Sequence, residues 1–195
     1  MNEARLAALA YALGVVQFLL LGLLAAEALY PGYSISQNFI SDLGVGPSAW
    51  AFNGSVSLLG LLVLLGTYWL GRAGYARAFR ALLYLTGIGA LGVGIFNENF
   101  GALHGLFSLV AFLFSGLAAI ASARYIPSPL RGLYALLGAL SLASLALFLG
   151  GVDLGLGRGG IERMIVYPVL AWGLLLASQI AGSGEAAQAR EQGPR

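Results

Sequence analysis

The chain contains no cysteine and no lysine, and it has a single histidine, His104. Each scarcity excludes some chemistry. Without cysteine there is no disulfide, no thiolate nucleophile and no Cys-ligated zinc or iron–sulfur centre. One histidine rules out a bis-histidine haem and a three-histidine zinc site within one chain. A haem with a different sixth ligand is disfavoured, because the two methionines, Met1 and Met164, stand in no second-ligand motif. Charge is scarce too: 9% of residues are charged, against roughly 25% in ordinary soluble domains. The basic residues are all arginine, and the formal charge of +2 is too small and dispersed to suggest a nucleic-acid partner.

What is abundant is apolar surface, with 59% of the 195 residues hydrophobic. Apolar runs fall at about Ala4–Leu29, Trp50–Leu70, Arg80–Phe96, Ala102–Ala123, Arg131–Gly150 and Ile161–Ala181. Each is close to the ~20 residues that a helical membrane crossing needs. The breakers between them are Pro31-Gly32, Gly71 to Gly74, Asn97 to Gly101, Pro127 to Pro129 and the glycine-rich stretch from Gly150 to Gly160. The expectation is an all-α, six-helix transmembrane domain over 1–182, with a polar, disordered cytoplasmic tail over 183–195. The first run exceeds a normal signal-peptide core and is followed by Tyr30-Pro31-Gly32 rather than a small-residue cleavage site, so it reads as a retained helix. The third run is the shortest, and its glycines (Gly87, Gly89, Gly92, Gly94) predict close packing in a central position.

Arginine placement predicts orientation, since cytoplasmic connections are enriched in positive charge. Eight arginines lie with the N-terminus, the second and fourth loops and the tail; two, Arg158 and Arg163, lie on the other side. Both termini are therefore expected in the cytoplasm and loops 1, 3 and 5 outside the cell membrane.

The outward end gathers the unusual polar residues. The long first loop contains Asn38, Ser41 and Asp42; the third carries Asn97, Glu98 and Asn99, with His104 a turn beyond. The fifth carries Asp153 and Arg158 and leads into Glu162-Arg163. A purely structural reading is available: Asp42 capping a turn, Glu98 marking a helix boundary, Glu162 meeting the positive end of a helix dipole. The functional reading is a pocket in which Asp42, Glu98, His104 and Glu162 act as general acids and bases toward a lipid head group or ester. Asn38, Ser41, Asn97, Arg163 and Tyr167 would bind the ligand. Arg163 suits a phosphate or carboxylate, and Tyr167 lies one turn beyond it. The acids and the histidine also suit a divalent cation with mixed oxygen and nitrogen ligands, although no cofactor is assigned. Gly155 to Gly160 satisfies G-x-G-x-x-G but lacks the preceding strand of a dinucleotide site, and reads as a flexible connection. Gln17 looks isolated within helix one.

The stretch Asn38-Phe39-Ile40-Ser41-Asp42-Leu43-Gly44, the segment from Asn97-Glu98 to His104, and Glu162-Arg163 at the start of helix six together resemble the DUF998 family of small prokaryotic membrane proteins. That family is similar in turn to the wider Frag1/DRAM/Sfk1 group of six-helix proteins. The resemblance covers nearly the whole chain, implies the six-helix architecture and supplies no reaction. The leading expectation is thus a membrane protein whose outward polar pocket binds a lipid head group or amphiphile, with hydrolase or transferase chemistry as an extension. Membrane lipids are its expected partners. A small-molecule transporter, which would need a midplane site between discontinuous helices, and a structural or partner-binding subunit are the alternatives.

Overall fold

The computed structural model describes residues 2–191, with side chains described over 2–182. Six helices are long and apolar enough to cross a membrane. They are α1 (Glu3–Leu29), α2 (Ala49–Arg72), α3 (Arg77–Ile95), α4 (Ala102–Tyr125), α5 (Arg131–Leu149) and α6 (Gly157–Glu191), whose apolar span is Gly157–Gly182. Among the described residues there is no strand. Leu20, Leu24, Leu61, Leu65 and Leu136 are exposed on the outside of the bundle, the surface that lipid would cover. The expected tail, 183–195, lies outside the residues whose side chains are described.

The helices run up and down in sequence order, and α6 packs back against α1 to close the ring. Small residues set the spacing. A Cβ on Gly60 of α2 would strike the backbone of Leu91 in α3, and one on Gly89 of α3 would strike the backbone of Ala111 in α4. These backbones touch because neither glycine carries a side chain, which is how membrane helices gain dispersion contact without a hydrophobic driving force. The glycines of α3 therefore do pack tightly, but against two neighbours in a ring. The expected central position is not observed, since α3 contacts only α2 and α4 substantially.

Hydroxyl and amide groups staple the ring where its interior is apolar. Gln17 is not isolated: its amide donates to the carbonyls of Gly14 (2.9 Å) and Ser55 (3.0 Å), and Ser55 Oγ donates back to Gln17 Oε1 (2.7 Å). A π-helical stretch, Phe18–Ala25, follows directly. Trp172 Nε1 donates to Ser122 Oγ at 2.9 Å, tying α6 to α4. Pro168 interrupts the hydrogen-bond ladder of α6, and buried Ser141 of α5 donates at 2.8 Å to the nearby carbonyl of Ile165. The carbonyl that Pro168 itself leaves without an N–H is that of Met164, four residues back, so the Ser141 bond braces the next carbonyl along.

Antiparallel order puts loops 1, 3 and 5 at one end. Loop 1, residues 30–45, is the longest of them and folds inward over the ring: Ile40 and Leu43 are buried, and Ser41–Gly44 form a short 3-10 turn.

Candidate functional site

Loop 1 organises this end of the molecule through three successive residues. Asp42 reaches backward, accepting from the Asn38 side-chain amide at 2.8 Å and from Phe39 N–H at 3.0 Å, which locks the 3-10 turn. The Ile40 N–H donates to Glu162 Oε2 on α6. Ser41 Oγ donates to Glu98 Oε1 in loop 3 at 2.6 Å. Residues from three segments far apart in sequence thus meet because a tight turn points successive groups in different directions.

Arg163 holds loop 1 from the other side. Its Nη2 donates to Glu27 Oε1 at 2.8 Å and to Tyr33 Oη at 2.6 Å, while Nη1 donates to the carbonyls of Ile35 (3.0 Å), Gly159 (3.1 Å) and Asn38 (3.3 Å). Tyr33 passes the constraint on, donating to the Phe39 carbonyl at 3.0 Å. Burial pushes the Tyr33 hydroxyl above the usual tyrosine range, against the lowering effect of Arg163. The fixed fork of guanidinium suits this work, since one planar group can reach several acceptors at once. Loop 1 sits this low because α6 begins with glycines: a Cβ on Gly157 would strike the Ser36 carbonyl, and one on Gly159 those of Asn38 and Ile35. Gly159 N–H also donates to Ser36 O at 3.1 Å. The G-x-G-x-x-G match is therefore a seat for loop 1, and α6 starts at Gly157 instead of Ile161.

That earlier start places Glu162 in the second turn of α6, where the positive end of the helix dipole has largely faded. Glu162 is 4% exposed. Its Oε2 accepts from Ile40, the carboxyl's one hydrogen bond among the described residues. The carboxyl lies in the wall of a cavity inside the ring, which offers about 130 Å³ to the centres of water-sized groups. One water needs about 10–15 Å³ on that measure, so the space is roughly ten times larger. Glu162 and Ser41 stand in its wall beside Ile40; Tyr11, Val63, Leu83 and Leu176 line its deeper part, and helices α1, α2, α3, α4 and α6 all contribute. α5 contributes nothing and packs behind α4 and α6.

Glu98 and Asp42 are neighbours, and burial together with the Asp42 carboxyl holds Glu98 above the usual carboxylate range, with Ser41 opposing. His104, 8% exposed, is fixed at both nitrogens. Its Nδ1 lies 2.8 Å from the Phe96 carbonyl, which can only accept, so Nδ1 carries the proton there. Nε2 is then the acceptor for Ser108 Oγ at 3.3 Å, and Ser108 also lines the cavity.

Of the residues singled out by sequence, Asn38, Ser41, Asp42, Glu98, His104, Glu162 and Arg163 do lie together, although Arg163 faces loop 1 and is not in the cavity wall. Asn97 caps its own turn, accepting from Asn99 N–H at 3.1 Å, and Tyr167 is exposed on α6. Asp153 accepts from Gly155 N–H at 2.9 Å within loop 5. Glu27 joins the cluster as the ion-pair partner of Arg163. Tyr33 and Ser108 have no sequence signal beyond their place beside the motif residues, and Gly159 stands out only as part of the G-x-G-x-x-G match. Among the described residues no three of His, Cys, Asp and Glu gather as a metal-ligand set.

A ring of six apolar helices, lidded at one end by a hydrogen-bonded loop and hollow within, defines a multi-pass α-helical membrane protein. The chain matches the family described as "Protein of unknown function (DUF998)" over residues 12–179, a span that includes the whole polar cluster, and it belongs to that family. No curated protein and no solved structure matches it.

Proposed function

We propose that this protein binds a membrane amphiphile, with the polar head against Glu162, Ser41 and the neighbouring carboxyls and the apolar tail in the cavity. The observation that carries the reading is the buried Glu162 carboxyl, with a single hydrogen bond, in a mostly apolar cavity wall. A carboxyl in such a wall offers a polar head the hydrogen-bond partner that the apolar lining lacks. Small-molecule sites commonly have this make-up, mostly apolar with a few convergent polar groups. The protein would lie in the cell membrane with loops 1, 3 and 5 outside, as the arginine asymmetry indicates. The test is native mass spectrometry with lipid extraction on protein purified in mild detergent: a retained amphiphile displaced by a cavity-filling Val166→Trp variant is expected, and equal retention by that variant would refute the site. Because the chain has no cysteine, Gln37→Cys and Ala76→Cys can each be labelled in intact cells; labelling of Ala76→Cys alone by an impermeant thiol reagent would reverse the orientation.

A second reading adds hydrolase or transferase chemistry, and one contact favours it. Ser108 Oγ stands within reach of His104 Nε2, whose other nitrogen is held by a carbonyl, an arrangement in which histidine can accept a hydroxyl proton. Hydrolysis of a long-chain ester by the wild type, lost in Ser108→Ala with the protein still folded, would support it. Equal rates would remove it.

A further inference from the structure

Resting on the amphiphile-binding reading, we infer that the head group taken here is a positively charged hydrogen-bond donor, as in a single-chain lipid amine, and not a phosphate or carboxylate. The arginine and most of the other donors around the site are already engaged. Arg163, the nearest cation in sequence, gives Nη1 and Nη2 to Glu27, Tyr33 and three carbonyls and does not line the cavity. Its Nε is buried without a partner, shut away from that space. The Phe39 and Ile40 N–H groups are taken by Asp42 and Glu162, and the Ser41 hydroxyl by Glu98. His104 directs its Nδ1 proton to the Phe96 carbonyl. An anionic head would meet no arginine in the cavity wall and would face carboxyls.

The acceptors tell the opposite story. Glu162 stands in the cavity wall with a single hydrogen bond, from Ile40 N–H, and Asp42 and Glu98 are held by the same turn of loop 1. Arg163 balances Glu27, which leaves Asp42, Glu98 and Glu162 with no arginine partner among the described residues. A carboxylate in an apolar wall is stabilised most by a cation that also donates hydrogen bonds to it. The cavity is deep enough for a full tail. From Glu162 to Leu176, both in its wall, α6 advances about 21 Å at ~1.5 Å per residue. That exceeds half of the ~30 Å hydrocarbon core, the depth available to a chain in one leaflet. Its volume, about 130 Å³ for the centres of water-sized groups, is that of one narrow chain and not two.

The experiment is competition among hexadecylamine, hexadecyl phosphate and hexadecanol for the full-length protein in a non-ionic detergent near pH 7, read by native mass spectrometry. The amine should be retained at least about tenfold over the phosphate, equivalent to about 1.4 kcal/mol, and Glu162→Gln should reduce that preference to about twofold or less. Equal or better retention of the phosphate or the alcohol overturns the head-group assignment while leaving amphiphile binding intact. Retention of none of the three overturns both. A wild-type preference for amine that persists in folded Glu162→Gln assigns it to general surface charge and also overturns the inference. The wild-type ranking decides the first two outcomes even where the variant does not fold.

Discussion

Replacing Arg163 with methionine tests whether this residue clamps loop 1. Methionine keeps much of the length and apolar volume of the arginine stem, so the change isolates the loss of the guanidinium. That group makes five hydrogen bonds, one of them to the Glu27 carboxylate at 2.8 Å, with the two side chains 5% and 21% exposed. Removing one partner of a buried pair typically costs about 3–5 kcal/mol, because the remaining charge and carbonyls are stranded. Glu27→Gln keeps an acceptor for Nη2 and should cost only about 1–2 kcal/mol. In the double variant no stranded carboxylate remains, so the two losses should fall short of additive by about 1–3 kcal/mol. Unfolding of all four proteins in mixed micelles gives these values. Limited digestion with chymotrypsin gives an independent reading, since a released loop 1 would expose Tyr33 and Phe39 to cleavage. A loss below about 1 kcal/mol in Arg163→Met, or strict additivity in the cycle, would refute the clamp.

Three further outcomes follow from the same geometry. Gly159→Ala should destabilise by about 1–3 kcal/mol and raise loop 1 cleavage in parallel, because its Cβ would meet two backbone carbonyls that cannot rotate away; a wild-type unfolding midpoint would show that loop 1 is not seated on α6. Ser141→Ala should cost about 1–3 kcal/mol, measured by the same unfolding, since the Ile165 carbonyl beside Pro168 loses its hydroxyl donor in an apolar setting; no loss would mean that the carbonyl finds another partner. Glu98, held above its ordinary value of 4.5 by burial and Asp42, binds its proton more tightly folded than unfolded. Its contribution is therefore fully present below about that ordinary value and is lost as pH rises through the raised one. Glu98→Gln should flatten this part of the stability profile, and an unchanged slope would locate the titration elsewhere.

The polar residues show how far the site could be read in advance. Asn38, Ser41, Asp42, Glu98, His104, Glu162 and Arg163 are conspicuous because ionisable and amide groups at the ends of apolar helices need partners. Their roles were less legible. Arg163 looked like an anion fork, yet loop 1 folds down onto it and engages its two Nη groups. Gly155 to Gly160 looked like slack, yet Gly157 and Gly159 are where two backbones touch. Both results depend on contacts more than 100 residues apart in the chain, such as Arg163 with Ile35 and Ile40 with Glu162.

The sequence by itself determined that six helices cross a membrane and that their unusual polar groups lie at the end formed by loops 1, 3 and 5, because span length and breaker positions are local properties that hydrophobicity alone specifies. Tertiary structure decided which apolar faces meet each other and which meet lipid. In a membrane protein both kinds of face are equally apolar, so no polarity contrast along the helix distinguishes them. The ring closure of α1 on α6 and the exclusion of α5 from the cavity come from close packing of glycines and hydroxyls across helices.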